Sequence, residues 1–336
     1  MHTALRHCLA FATVLLAGAT LPACSTNPTT GRSQFNFYSR DDEIALGMQA
    51  KPELVKEFGG EVARADLREY VTEVGMRLAR HTEGDSPSLP WEFTLLDSDV
   101  INAFALPGGK VFMSRGLAAQ MTSEAQLAGV LGHEIGHVTA RHTNDRMSQS
   151  LLVTVGALTA AVLLENSNAS DATKTVAPVV LQVGGQSIVL QYSRDQESEA
   201  DALGLRYMTR EGYDPRAQVQ VMEILKASMT GERGLEFFAT HPYPETRIKR
   251  LNRLLQTDYA PMVNNPNYRT GEQEFRTRFL SKLSAAYPCA GEPRFASTEA
   301  ELDAMGGRGD LGLIGVAITR GQTHECETHE CERPGR

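Results

Sequence analysis

Two histidines four residues apart flank a carboxylate in the run His133-Glu134-Ile135-Gly136-His137. Residues at i and i+4 project from the same side of a helix. Two imidazole nitrogens so placed reach one metal ion at about 2.0–2.1 Å. Glu134, next to the first imidazole, can face a water on that metal. Zinc lowers the pKa of such a water, and a neighbouring carboxylate can take its proton. The flanks support this reading, because between Ala125 and Val138 Glu134 is the one acidic or basic side chain besides the histidines. Two solvent-facing histidines at helical spacing would have polar neighbours instead. A lone carboxylate in an apolar helix is costly without a partner, and a metal with its water supplies one. The chemistry implied is metal-assisted hydrolysis.

A catalytic zinc usually takes three protein ligands and keeps one position open. The best source of a third is Tyr192-Ser193-Arg194-Asp195-Gln196-Glu197-Ser198-Glu199-Ala200-Asp201. Glu197 and Asp201 are i and i+4, so they share a helical face. Glu197 could coordinate, and Asp201 could accept the second N–H of a ligating histidine and hold its tautomer. Glu199 points elsewhere on that helix. From spacing alone these acids suit a solvated helix N-terminus equally well.

The elements around these residues follow from pattern. Ser123 caps a helix from Glu124 to about Arg141, acidic at its start and basic at its end. A helix from Asp195 to about Glu211 carries the acids and stops at Gly212. Asp214-Pro215 opens another, and 244–255 forms a further helix. Upstream, helices are expected from Asp41 to about Phe58 and from Val62 to Ala79, the second with Leu67, Val71, Val74 and Leu78 on one face. Strands are expected at 91–96, 100–105 and 110–114, with Pro107-Gly108-Gly109 as a turn, giving a hairpin or small meander. The apolar stretches 151–164 and 176–190 read as buried core helices or as a hairpin covering a cleft or touching lipid.

The 336 residues carry a formal charge of −8 and are 41% hydrophobic. That composition suits one sizeable core, and the acidic balance argues against nucleic-acid binding. Residues 1–23 read as a secretory signal with a short apolar run from Leu9 to Ala19. Leu21-Pro22-Ala23-Cys24 is similar to a bacterial lipobox, which implies lipidation of Cys24 and membrane anchoring. Ser25 after the cysteine is, by the same resemblance, an outer-membrane signal. Residues 24–40 are expected to be a polar tether, 41–256 the catalytic domain and 257–336 a loop-rich, partly disordered extension. Cys289, Cys326 and Cys331 allow one disulfide of unknown pairing. The echo His324-Glu325-Cys326 and His329-Glu330-Cys331 fits a disordered or disulfide-tied tail better than a metal site.

Several runs beyond the histidine motif resemble the M48 family of zinc metallopeptidases, in particular its periplasmic lipoprotein members in Gram-negative bacteria. They are Asn27-Pro28-Thr29-Thr30-Gly31-Arg32, Glu43-Ile44-Ala45-Leu46-Gly47, Asn102-Ala103-Phe104-Ala105-Leu106-Pro107-Gly108-Gly109, Glu197-Ser198-Glu199-Ala200-Asp201, Gly212-Tyr213-Asp214-Pro215 and Thr240-His241-Pro242. The resemblance implies an α+β, predominantly helical zincin-like domain with a small antiparallel sheet beside the active-site helix. It implies one Zn²⁺ per chain on His133, His137 and Glu197, with Glu134 as general base and Asp201 supporting the ligands. His241 is expected near the zinc, as a fourth ligand in a latent state or as a stabiliser of the tetrahedral intermediate. Arg247 could pair with a cleft carboxylate. The strand around Asn102, Ala103 and Phe104 is expected to form the cleft edge, where a polypeptide adds as a β-strand. The implied activity is a periplasmic, lipid-anchored zinc metalloendopeptidase acting on unfolded or misassembled envelope proteins. The competing expectation is a lipoprotein chaperone or adaptor that holds extended chains in the same cleft; the intact Glu134 favours the peptidase. No repeat of tetratricopeptide length recurs, so the assembly-machine partnership of relatives carrying such repeats does not transfer.

Overall fold

The computed structural model describes residues 25–165, 192–228, 237, 240–242 and 244–287. Cys24 and the signal segment, the stretch 176–190 and the tail with its three cysteines lie outside the described residues.

The hydrophobic periodicity becomes a helical body with one small sheet. Helix α1 (Arg40–Glu57) starts at a reciprocal cap: the Ser39 hydroxyl accepts from Asp42 N–H, and the Asp42 carboxylate accepts from Ser39 N–H. Helix α2 (Ala65–Ala79) buries Leu67, Val71, Val74 and Leu78, the face its spacing predicts. Strands β3 (Glu92–Leu96), β4 (Ala103–Leu106) and β5 (Lys110–Ser114) follow two short paired strands, β1 (Ser25–Thr26) and β2 (Ser33–Gln34). The three-stranded sheet has the order β3-β5-β4 and is mixed. β4 and β5 form the expected hairpin, turned by Gly108 and Gly109 at φ 75° and 89°, a region where Cβ-bearing residues are strained. β3 pairs parallel to β5 from Glu92↔Lys110 to Leu96↔Ser114, so the meander expected from sequence is replaced by a crossover through 97–102. This leaves β4 with a partner on one side among the described strands.

Helix α3 (Glu124–Thr139) is buried along its whole length. It packs on β4, α2 and, most closely, α5 (Arg194–Arg210). The contact with α5 is close because small residues face each other. A Cβ on Gly136 would lie 2.9 Å from the Ala200 carbonyl, and one on Gly132 3.2 Å from that of Gly204. Helix α4 (His142–Glu165) does not continue α3, because Arg141 breaks the chain at φ 57°. Arg141 is held there by ion pairing to Glu43 and donation to the Tyr38 carbonyl. Helices α6 (Arg216–Ser228) and α7 (Pro244–Gln256) complete the wall against α3 and α5.

Two segments depart from expectation. The polar stretch 25–39 is docked rather than free. Asn27 Nδ2 donates to the Thr139 carbonyl at 3.0 Å and Gln34 Nε2 to that of Ala140 at 2.6 Å. These belong to the end of α3, where carbonyls lack intrahelical donors. Residues 257–287 are likewise part of the body. Phe275, Phe279 and Leu283 are buried in a helical run, and both phenylalanines pack on Tyr70 of α2. Among the described residues no helix is long and apolar enough to cross a membrane.

Candidate metal centre

Four side chains from three places in the chain meet at one point: His133 and His137 on α3, Glu197 on α5 and His241 in the turn before α7. One ligand atom from each lies within 4.8 Å of all the others, and all four residues are buried. The Nε2 atoms of His133 and His137 are 3.0 Å apart. Glu197 places Oε1 3.4 Å from His137 Nε2 and Oε2 3.6 Å from His133 Nε2. His241 Nδ1 is 3.0 Å from Glu197 Oε1 and 3.4 Å from His133 Nε2. Donors about 2.0–2.1 Å from a shared ion would be about 3.3–3.4 Å from one another in a tetrahedron. The measured separations fall around that value.

Hydrogen bonding tests the fit independently. His133 Nδ1 is 2.9 Å from Asp201 Oδ1, and a carboxylate accepts. That puts the proton on Nδ1 and a lone pair on Nε2. His137 Nδ1 meets His142 Nδ1 at 3.0 Å, and His142 Nε2 meets Glu199 Oε2 at 2.9 Å. Glu199 accepts from His142, so a neutral His142 accepts from His137, whose Nε2 also becomes a lone pair. Burial pulls both His137 and His142 below the ordinary histidine range, which favours neutral rings. Two imidazole lone pairs and a carboxylate therefore converge with no proton between the imidazoles. Such a donor set fits a cation.

The surroundings serve this point. Arg247, on α7, reaches Glu197 Oε2 at 2.5 Å through Nη1 and grips both oxygens of Asp201 at 2.7 and 2.8 Å. Burial alone would raise both carboxyls. Arg247 outweighs it and, aided by the histidines, holds them well below the carboxylate range. Burial raises Glu134, whose two carboxylate oxygens have no hydrogen-bond partner among the described residues. Its nearest ionic neighbour is His241 Nε2, 3.7 Å from Oε1. Burial opposes charge on His241, but the carboxylates of Glu197 and Glu134 outweigh it and raise its pKa. Phe237 stacks on His241 with ring centres 4.7 Å apart, and Tyr192 stacks on His137 at 3.9 Å. A cavity lined by Val130, Val221, Met222, Leu225 and Phe237 opens against Glu134 and Arg247.

β4 packs on α3, and Leu106 at its end lines a second cavity together with His137. Ala103 is buried, while Phe104 turns to the other face and stacks on Phe112 at 4.8 Å. Asn102 is buried just before β4, and its Oδ1 has no hydrogen-bond partner among the described residues. The expected carboxylates, histidines and Arg247 are thus brought together. Sequence reading missed His142 and the reach of Glu199 toward it. The signal was a third histidine, five residues after His137, but on an unbroken helix it would point about 140° away. The break at Arg141 turns it back.

The profile of Peptidase family M48 matches residues 65–255, more than half of the chain. The chain belongs to peptidase family M48. Among its relatives is the beta-barrel assembly-enhancing protease of Escherichia coli K12, 32% identical over 241 residues, covering 69% of this chain and 48% of that protein. The protein of the same name from Yersinia pestis is 30% identical over 260 residues, 74% of this chain and 51% of that one. The mitochondrial metalloendopeptidase OMA1 of Schizosaccharomyces pombe is 32% identical over 232 residues, 68% of this chain and 65% of that one. The chain spans about half the length of its bacterial relatives. The M48 match runs from the start of α2 to the penultimate residue of α7 and includes every residue of the four-donor cluster.

Proposed function

We propose that this protein is a zinc-dependent endopeptidase that cleaves extended segments of unfolded or misassembled envelope proteins. In this reading it is exported to the periplasm and anchored by lipid on Cys24, on the outer-membrane side. The observation that carries the catalytic part is the convergence of donor atoms from His133, His137 and Glu197 beside a buried Glu134 whose oxygens have no hydrogen-bond partner among the described residues. Family membership and relatives named as proteases support the same class.

His133, His137 and Glu197 would hold one Zn²⁺. When bound, the ion polarises the scissile carbonyl and acidifies water. Glu134 takes the proton from the attacking water and delivers it to the leaving amine. Its raised pKa suits both duties, because a catalytic base works best when its pKa is near the working pH. β4 offers the substrate backbone a free strand edge, and Asn102 Oδ1 is an acceptor for a substrate N–H. His241, fully buried, lies where a fourth ligand would be. We read this arrangement as a latent one, in which His241 must leave the cluster before substrate reaches the metal. The apolar cavity against Glu134 would then receive a hydrophobic side chain next to the scissile bond.

The test is cleavage of unfolded casein by zinc-loaded protein with and without chelator. Glu134→Gln is expected to retain one zinc per chain and lose about 10²–10⁴-fold in rate. Glu197→Ala is expected to lose zinc. Cleavage that survives Glu134→Gln at wild-type rate would refute the role of Glu134, and a mass spectrum of the mature N-terminus tests the lipid.

A further inference from the structure

We infer that His142 and Glu199 are positioning residues for His137, and that Arg32 of the docked N-terminal segment holds Glu199 in place. The inference rests on the metal reading above and assigns a task to residues that reading does not use.

A ligating histidine needs a partner for its second nitrogen, which fixes the tautomer and the ring plane. His133 has Asp201 directly behind it. Among the described residues no carboxylate reaches His137 Nδ1, whose polar partner is His142 Nδ1 at 3.0 Å. His142 is completely buried, and its other nitrogen ends on Glu199 at 2.9 Å. The chain of donors has one direction. Glu199 can only accept, so His142 Nε2 donates to it. His142 Nδ1 then accepts from His137, and His137 Nε2 turns its lone pair to the metal point. If His142 were reversed, His137 would carry its proton on Nε2, pointing into the cluster.

The geometry is built for this contact. The break at Arg141 is what lets the fifth residue after His137 face it, and that break is clamped by Glu43 and the Tyr38 carbonyl. Tyr192 stacks on the face of His137, with ring centres 3.9 Å apart, and so fixes its plane. Glu199 is partly exposed and pairs with Arg32 at 3.3 Å. Arg32 lies on the segment that Asn27 and Gln34 pin to the end of α3. A relay through an imidazole thus orients the second ligand without burying a further carboxylate at the metal, which would need a second Arg247 to neutralise it.

The experiment is Zn²⁺ affinity by chelator competition, with ¹⁵N NMR of the histidine side chains in zinc-free full-length protein. His142→Phe keeps the ring volume and removes both nitrogens, and Glu199→Ala changes a partly exposed side chain. Both are expected to weaken Zn²⁺ binding about 10–100-fold. Arg32→Ala should weaken it by less than either. His137 should be an Nδ1–H tautomer in wild type and lose that signature in His142→Phe. Thermal melts at saturating Zn²⁺ establish that each variant is folded, and a purely structural role would leave the tautomer unchanged. Affinity within twofold of wild type in both His142→Phe and Glu199→Ala, or an Nδ1–H His137 in folded His142→Phe, overturns the inference. Failure of wild type to bind Zn²⁺ would instead sink the metal reading, and the tautomer would still decide the hydrogen-bond chain.

Discussion

The four-donor cluster exists because α3 and α5 approach closely, so one added methyl between them should be felt at its donor atoms. In Gly136→Ala the new Cβ would meet the Ala200 carbonyl oxygen at 2.9 Å, Ala200 Cα at 3.1 Å and Leu203 Cβ at 3.2 Å. The first two are backbone atoms and cannot rotate away. Restoring ordinary contact requires the helices to part by about 0.5 Å, whereas a metal site tolerates about 0.2 Å in its ligand distances. Overpacking costs about 1–3 kcal/mol, and the Gly→Ala gain in helix propensity returns up to about 1 kcal/mol. The variant should therefore stay folded, melting at or a few degrees below wild type. Its Zn²⁺ affinity should fall about tenfold or more, because Glu197 rides on α5 and both histidines on α3. Gly129 in the same helix is the control: its Cβ would meet nothing nearer than 3.4 Å, the Gln218 Cα. Gly129→Ala should melt at or above wild type and keep its metal. Chelator competition and thermal melts on both variants check this. If Gly136→Ala matches Gly129→Ala in both measurements, helix spacing does not set the site.

Three further outcomes follow from the same packing. Arg247→Leu leaves Glu197 and Asp201 buried without their cation and should cost about 3–5 kcal/mol in denaturant unfolding of chelated protein; a loss below about 1 kcal/mol would contradict the pairing. Glu134 has a folded-state pKa raised by burial, so its favourable contribution is complete below the ordinary carboxylate pKa and lost as pH rises through the folded value. Glu134→Gln should then stabilise chelated protein by about 1–3 kcal/mol at neutral pH and by nothing near pH 3, read as the pH dependence of the unfolding midpoint. Phe279→Ala should destabilise by about 3–5 kcal/mol, and a neutral result would mean that 272–286 packs more loosely than its burial indicates.

What could be read from the chain depended on whether the cause was local. The α3 and α5 helices, the Ser123 cap and the same-face pairs His133/His137 and Glu197/Asp201 follow from spacing and capping, which act within four residues. Phe275, Phe279 and Leu283 show the same spacing, but in a short run between polar loops; their burial was decided by Tyr70, some 200 residues earlier in the chain. The docking of 25–39 was hidden for a related reason. Asn27 and Gln34 read as solvent-loving, and only the open carbonyls at the end of α3 give them a buried task. The parallel pairing of β3 was not legible either, since strand pattern reports which residues alternate and not which neighbour a strand selects.

The residues at the centre also show why the carboxylates had to be weighed together. Glu197 and Asp201 on one helical face, four residues apart and fully enclosed, would repel and lose hydration if α5 stood alone. A solvated helix N-terminus was therefore the natural alternative from sequence. Arg247 removes the conflict by hydrogen bonding to Asp201 and ion-pairing with Glu197, and it can do so because its guanidinium presents several donors in a fixed plane and stays charged when buried. Two carboxylates against one guanidinium leave one negative charge, set against two imidazole lone pairs. That remainder is small enough for a dication to keep net positive charge, as a Lewis acid must. The arginine is thus as much a condition of the cluster as its four donors: exchange it for lysine, and the charge survives while the planar grip on Asp201 is lost.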